Sequence, residues 1–394
     1  MKYRRFGKTE LQMPLISMGG MRFQTSWKRK DPVTGDSQKN LEETVRRALE
    51  LGINHFETAR GYGTSEEQLG RILPGLDRSQ IFVQTKVGIR TNGDDFMSDF
   101  EDSLKTLGVD YLDLFAIHGI NDNSCLGQAL EKGGTIERAL KLREEGVIRN
   151  LGFSTHGPCK TILRTINTGF FDYVNLWYSY IYQDNQPAIS AARELDMGVF
   201  IISPNDKGGK LYAPPEKLVR LTAPLHPMVF NDLFILQNKD IHTISCGVTG
   251  PADFDIHVKA VAEMDLLKED VARIRKQLDG ELEKSEGADR IKDYTTGIPD
   301  WDQTPGNINV KVILWLLTLA EVFDLTAYAK MRYNLLGNGG HWFPGENAEK
   351  ADQLAGEIRK AVSDSPFSDR IADALCRAHA VLGGEEVRRM GEDH

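Results

Sequence analysis

The sequence predicts an α/β protein, a (β/α)8 barrel of the TIM type followed by an all-α domain. Three observations predict it. Short β-branched or apolar runs alternate with amphipathic runs from residue 14 to about 265, eight apolar runs occur in that stretch, and beyond it they stop. Strands alternating with helices imply a parallel sheet, and eight is the number that closes around a side-chain-filled interior. The expected division is therefore a barrel over 1–265 and a helical domain over 266–394. Both fit a chain of 394 residues, since domains average roughly 150 residues and barrels run longer. A doubly wound open sheet is the structural rival, but no GxGxxG follows the first strand, so its phosphate-binding fingerprint is missing.

The expected strands, in order, are Leu15 to Gly19, Ile53 to Glu57, Ile81 to Thr85, Leu112 to Ile117, Asn150 to Phe153, Tyr173 to Trp177, Val199 to Ser203 and Ile241 to Cys246. Between them lie helices with legible ends. Leu41, Val45, Ala48 and Leu49 form one apolar stripe, closed by Gly52 where a left-handed cap suits a residue without Cβ. Ser65–Gln68 and Ser98–Glu101 read as capping boxes, and Pro158 and Pro251 as first helical positions. In the tail, Val271 to Lys284, Val310 to Phe323, Tyr328 to Leu336, Gln353 to Val362 and Ile371 to Leu382 read as helices, interrupted by a Gly/Pro-rich loop from Thr295 to Gly306.

Composition narrows the functional classes. Hydrophobic residues at 40% and charged residues at 27% describe a chain able to bury a large core. The net charge of −9 opposes the phosphate contacts that dominate nucleic-acid affinity, which excludes nucleic acid as an expected partner. Cys125, Cys159, Cys246 and Cys376 are widely spaced with no CxxC, a pattern of neither a disulfide scaffold nor a metal cluster. The run Val312 to Phe323 is too short to span a bilayer and the basic start lacks an apolar signal core, so the expectation is a cytoplasmic protein with no membrane partner.

In a barrel, functional residues lie at the C-terminal ends of strands and in the loops that follow. That rule selects Glu57, Lys86 and His118 at three successive strand ends and Tyr62 in the loop Arg60-Gly-Tyr-Gly63. A phenol titrates near 10, so it is a slow acid at neutral pH, and a neighbouring Lys86 ammonium is expected to lower it. Glu57 would hold the lysine charged, and His118 would offer a ring donor to an oxygen on which charge develops. Singly, each has an ordinary reading: Lys86 a surface residue, Tyr62 a packed loop aromatic, His118 a core histidine, Glu57 a solvated carboxylate. Their joint placement favours the acid system.

These segments carry a resemblance. His55-Phe-Glu-Thr-Ala-Arg-Gly-Tyr-Gly-Thr-Ser-Glu66, Val83-Gln-Thr-Lys86, Phe115-Ala-Ile-His118 and Arg149-Asn-Leu-Gly-Phe-Ser-Thr-His156 resemble, in order, motifs of the aldo/keto reductases. The resemblance covers roughly residues 1 to 265, including an opening that is similar to the family's N-terminal hairpin. It implies a nicotinamide-dependent oxidoreductase that interconverts a small-molecule carbonyl and an alcohol, with Tyr62 as general acid/base. The alternative it allows is a nicotinamide-binding, redox-sensing partner protein with little turnover. One departure is Glu57 where the family usually has Asp.

The same resemblance implies cofactor contacts. Ser154 and Asn175 correspond to groups that hold the nicotinamide carboxamide, and Tyr178 to the ring that stacks on it. The stretch Ser203-Pro-Asn205-Asp-Lys207-Gly-Gly209 corresponds to the loop along the pyrophosphate, an ordinary Gly-rich loop being the plainer reading. Thr249 opens a helix start whose backbone donors would meet the adenosine phosphate. The basic side chains that many relatives present there are absent from Ala252 to His257, leaving NADP and NAD both open. In the tail, Thr304–Asn309, Tyr328–Leu336 and Ala374–His379 resemble the C-terminal domain of a ferredoxin-bearing branch of the family. An iron–sulfur cluster needs four thiolates and the tail has only Cys376, so no cluster is expected; an unrelated helical cap is the alternative. Gly337–Pro344 reads as an aromatic loop, and His341 lacks partners at ligand spacing, so no metal is assigned.

Overall fold

In the computed structural model, which describes residues 1–285, 296–338 and 344–384, the first segment is a hairpin of β1 (Tyr3–Arg5) and β2 (Gln12–Pro14). Eight parallel strands follow: β3 (Ile16–Gly19), β4 (His55–Glu57), β5 (Phe82–Gly88), β6 (Leu112–His118), β7 (Ile148–Ser154), β8 (Tyr173–Leu176), β9 (Gly198–Ile201) and β10 (Thr243–Gly247). They close in sequence order, with β10 pairing both β9 and β3. The expected barrel is thus formed, and the open-sheet rival is not. Each expected strand overlaps an observed one, and β5 and β7 run longer than expected, carrying Lys86 and Ser154 inside the ladder.

Side chains two apart on a strand share a face, so His55 with Glu57, Gln84 with Lys86 and Tyr173 with Asn175 point the same way. The interior is layered by this alternation. One end is apolar, with Phe6, Met13, Leu114, Ala116, Tyr173, Phe200 and Ile202 packed together. Above it, Ser17 Oγ bonds His55 Nδ1 and Thr243 Oγ1, each at 2.7 Å. Towards the C-terminal strand ends come Gly19, Glu57 and Lys86.

Helix Gly35–Glu50 buries Leu41, Val45 and Ala48 as its stripe requires, and Gly52 takes the left-handed conformation after it. The capping boxes are not as expected. Thr64 precedes helix Ser65–Gly70, and Ser65 Oγ instead bonds Thr58 Oγ1. Ser98 lies inside helix Gly93–Leu107, which Asn92 caps with its side chain. Local pattern matched the motif in both cases, but the Asn92 cap starts one helix upstream of Ser98, and the Ser65 hydroxyl is spent on Thr58 while Thr64 makes no side-chain cap bond. Pro158 caps helix Cys159–Ile166 rather than opening it, while Pro251 does open a short 3-10 turn.

Two compact units emerge: Met1–Gly208 with Asn231–Leu266, and Gly209–Phe230 with Leu267 onward. The second is helical in its described part, with Glu216–Thr222, Lys268–Lys284, Val310–Phe323, Thr326–Leu335, Ala355–Ala361 and Ser368–Leu382. Val310–Phe323 is buried at most positions and forms its centre. Tyr333 ties helices together, its hydroxyl bonding His379 Nδ1 at 2.8 Å and accepting from Ala348 N at 2.9 Å. His341 and most of its loop lie outside the described residues.

Candidate active site

Glu57 ends β4, Lys86 lies near the end of β5 and His118 ends β6, so three adjacent strands present them at one rim. Lys86 has no exposed surface and Glu57 almost none. The Lys86 ammonium donates to Glu57 Oε1 and, at 2.7 Å, to the Thr58 carbonyl. Buried charges persist only when paired and hydrogen-bonded, and this pair is both. The register neighbour of Glu57 on β3 is Gly19, which packs so closely on β10 that a Cβ there would collide with Ser245 Oγ.

Tyr62 completes the cluster. Its ring lies under Lys86 Nζ, 4.6 Å from the centroid, and meets His118 edge-on at 5.8 Å and 87°. The loop that presents it is held from several sides. Gly63 is left-handed, with φ 51, and a Cβ there would fall 1.7 Å from the Ser26 carbonyl oxygen, so only glycine fits. Thr64 N donates to that same oxygen. Behind the loop, buried Glu66 accepts from Thr85 Oγ1 at 2.6 Å and from Arg29 Nη1, whose other arm reaches Asp102 at 2.9 Å.

The electrostatics correct one expectation. Burial, and then the Glu57 charge, push the Tyr62 phenol well above its ordinary value, where a lowering by Lys86 was expected. Lys86 offers no offset: its ammonium is paired with Glu57, and burial pulls Lys86 itself down against that carboxylate's support.

The residues assigned to a cofactor divide. Ser154 and Asn175 are register partners on β7 and β8. Ser154 Oγ accepts from Gly119 N at 3.3 Å, whereas both amide atoms of Asn175, fully buried, have no partner. Tyr178 is buried and stacks on Phe234 at 5.9 Å and 11°. After β9, Ser203 holds a left-handed φ of 49 and its carbonyl accepts from Lys207 N at 3.0 Å. Asn205 Nδ2 donates to Asp232 Oδ1 at 3.0 Å, and Lys207 Nζ reaches His156 Nδ1 at 2.8 Å. Gly209 opens the second unit. At Thr249 the expected free donors are taken: Asp253 Oδ2 accepts from Thr249 N at 2.7 Å, Thr249 Oγ1 at 2.9 Å and Gly250 N at 3.3 Å. Sequence reading missed Asn231, Asp232 and His257, although an Asn-Asp pair inside the apolar run Pro227–Gln237 was a visible signal.

Comparison with known proteins agrees with the barrel. Residues 15–209 match the model of the aldo/keto reductase family. An aldo-keto reductase of Mycobacterium sp. (strain KMS) is 38% identical over 140 residues, 35% of this chain and 49% of the relative. L-galactose dehydrogenase of Arabidopsis thaliana is 34% identical over 160 residues, 38% of this chain and 47% of the relative. The chain thus spans about half the length of the curated relatives it matches. Among solved structures, the holo form of an aldo-keto reductase from Bacillus halodurans superposes with a TM-score of 0.60 at 24% identity, over 70% of this chain and 96% of that one, a likeness of fold. The matched segment carries the strand ends that bring Glu57, Tyr62, Lys86 and His118 together, and over those residues the chain matches the aldo/keto reductase family.

Proposed function

We propose that the protein is a nicotinamide-dependent oxidoreductase that interconverts a carbonyl and an alcohol, with Tyr62 as its proton donor. The observation that carries this reading is the buried Lys86–Glu57 pair packed against the Tyr62 ring with His118 at its edge. The donor set fits the cofactor: the unpartnered Asn175 amide offers one donor group and one acceptor, the complement of a carboxamide. Ser154 and Tyr178 would share in holding that end. When bound, a reduced nicotinamide supplies a hydride to the substrate carbon. Tyr62 then gives its proton to the substrate oxygen. A phenol held high is still a stronger acid than the alcohol that protonation of the substrate alkoxide gives, so reduction proceeds with the form present at neutral pH, whereas oxidation needs the costly phenolate. His118 directs a ring donor at the same oxygen, and Glu57 keeps Lys86 in place.

NAD is the preferred cofactor in this reading. Asp253 already occupies the backbone donors after β10, and its carboxylate repels a 2′-phosphate while accepting from a ribose hydroxyl. The tail is read as a descendant of the ferredoxin-bearing branch that has lost its thiolates, and the compartment as the cytoplasm; no described helix is long and apolar enough to cross a membrane. The test is turnover. Purified protein should consume NADH with a generic aldehyde or quinone, and Tyr62→Phe should abolish it; cofactor binding without consumption in the unaltered protein would refute the enzyme reading and leave the redox-sensing partner.

A further inference from the structure

We propose that Asp232 and His257 form a positioning pair that holds Asn205 so that its Oδ1 receives a hydroxyl or amino hydrogen of the bound dinucleotide. The proposal rests on the nicotinamide reading above. Asn231 and Asp232 are buried side by side in the apolar helix Pro227–Gln237, a costly placement unless both are fully engaged. They are engaged on the loop after β9. Asn231 Nδ2 donates to the Pro204 carbonyl at 3.0 Å while its Oδ1 accepts from Tyr180 N at 3.1 Å. Asp232 Oδ1 accepts from Asn205 Nδ2 at 3.0 Å, and its Oδ2 accepts from His257 Nδ1. His257 in turn bonds the buried Cys246 thiol on β10. Burial pulls the His257 imidazole down, but Cys246 and Asp232 outweigh it and leave it well above its ordinary value, a steady donor to Asp232.

This chain fixes which way the Asn205 amide faces. With Nδ2 on a carboxylate, a flip would set oxygen against oxygen, so Oδ1 is a locked acceptor. Asn205 is only 9% exposed and its Oδ1 has no partner, an atom whose hydrogen bond is still to be made. An acceptor oxygen beside a carboxylate repels phosphate. It suits a ribose hydroxyl or an exocyclic amine, both of which a nicotinamide dinucleotide carries.

The test is equilibrium titration with NADH, read by nicotinamide fluorescence, together with thermal melts of the apo protein. Asn205→Ala should raise the Kd about tenfold, and the loss should appear in the KM for cofactor rather than in kcat. Asp232→Asn should raise it similarly, and the double variant should be no worse than Asn205→Ala alone, because Asp232 acts through Asn205. An unchanged Kd in Asn205→Ala, or fully additive losses in the double variant, overturns the proposal. If Asp232→Asn fails to melt cooperatively, the Asn205→Ala titration decides. Failure of the unaltered protein to bind either NADH or NADPH would instead sink the nicotinamide reading.

Discussion

Replacing Glu57 by Gln leaves the Lys86 ammonium buried without its counter-charge. Breaking a buried pair by removing one partner costs about 3–5 kcal/mol. Two favourable contacts survive, the Thr58 carbonyl at 2.7 Å and the Tyr62 ring face at 4.6 Å, which hold the loss at the lower end. About 3 kcal/mol, at roughly 2–4 °C per kcal/mol for a unit of this size, lowers the melting midpoint by about 6–12 °C. Removing the stranded charge as well, in Glu57→Gln/Lys86→Met, should recover most of that loss, because no buried charge is then left without its partner. Calorimetric or circular-dichroism melts of the two variants beside the unaltered protein make the comparison. A single variant as stable as the unaltered protein, or a double variant no better than the single, would refute the claim that the two charges compensate one another.

Other consequences can be checked with the same material. Tyr62→Phe should lower kcat by about 10²- to 10⁴-fold, with cofactor affinity retained; an equal loss of NADH binding would point to a packing role instead. Because the Tyr62 phenol stands well above its ordinary value, alcohol oxidation should climb about tenfold per pH unit through pH 9 while reduction stays flat across neutrality; a plateau in oxidation below about pH 9 contradicts the raised phenol. Gly63→Ala, forced into φ 51 against the Ser26 carbonyl, should cost a few kcal/mol by strain and depress kcat, and a variant with full activity would mean the loop is not held as described. His55 is driven down to about 3 and His242 to about 4, in each case chiefly by burial. The unfolded chain therefore binds protons that the folded chain refuses as pH falls below about 6.5, and stability present above that value drains away toward pH 3. His55→Phe should flatten part of that acid slope in urea melts, and an unchanged slope would discount His55.

What was legible and what was not follow from the range of the interactions involved. The barrel could be read because strand runs such as Leu112–His118 are buried on both faces and written as continuous apolar sequence, with turn signals on either side. The neighbourhood of the candidate residues could be read because strand ends are fixed by those runs, which places Glu57, Lys86 and His118 on adjacent strand ends before any contact is known. Capping at Ser65 and Ser98 misled because a four-residue motif carries no information about which of several nearby polar residues wins. The direction of the Tyr62 shift was hidden because it depends first on how deeply the folded chain buries the phenol and then on the Glu57 charge beside it. The Asp232–His257–Asn205 chain was hidden because it is made of pairs 25 and 27 residues apart on three separate elements. Period and propensity report what a segment does to itself; a polar residue stranded in an apolar helix, as Asp232 is, reports that something elsewhere needs it, and that is the signal a sequence offers for contacts its local patterns do not encode.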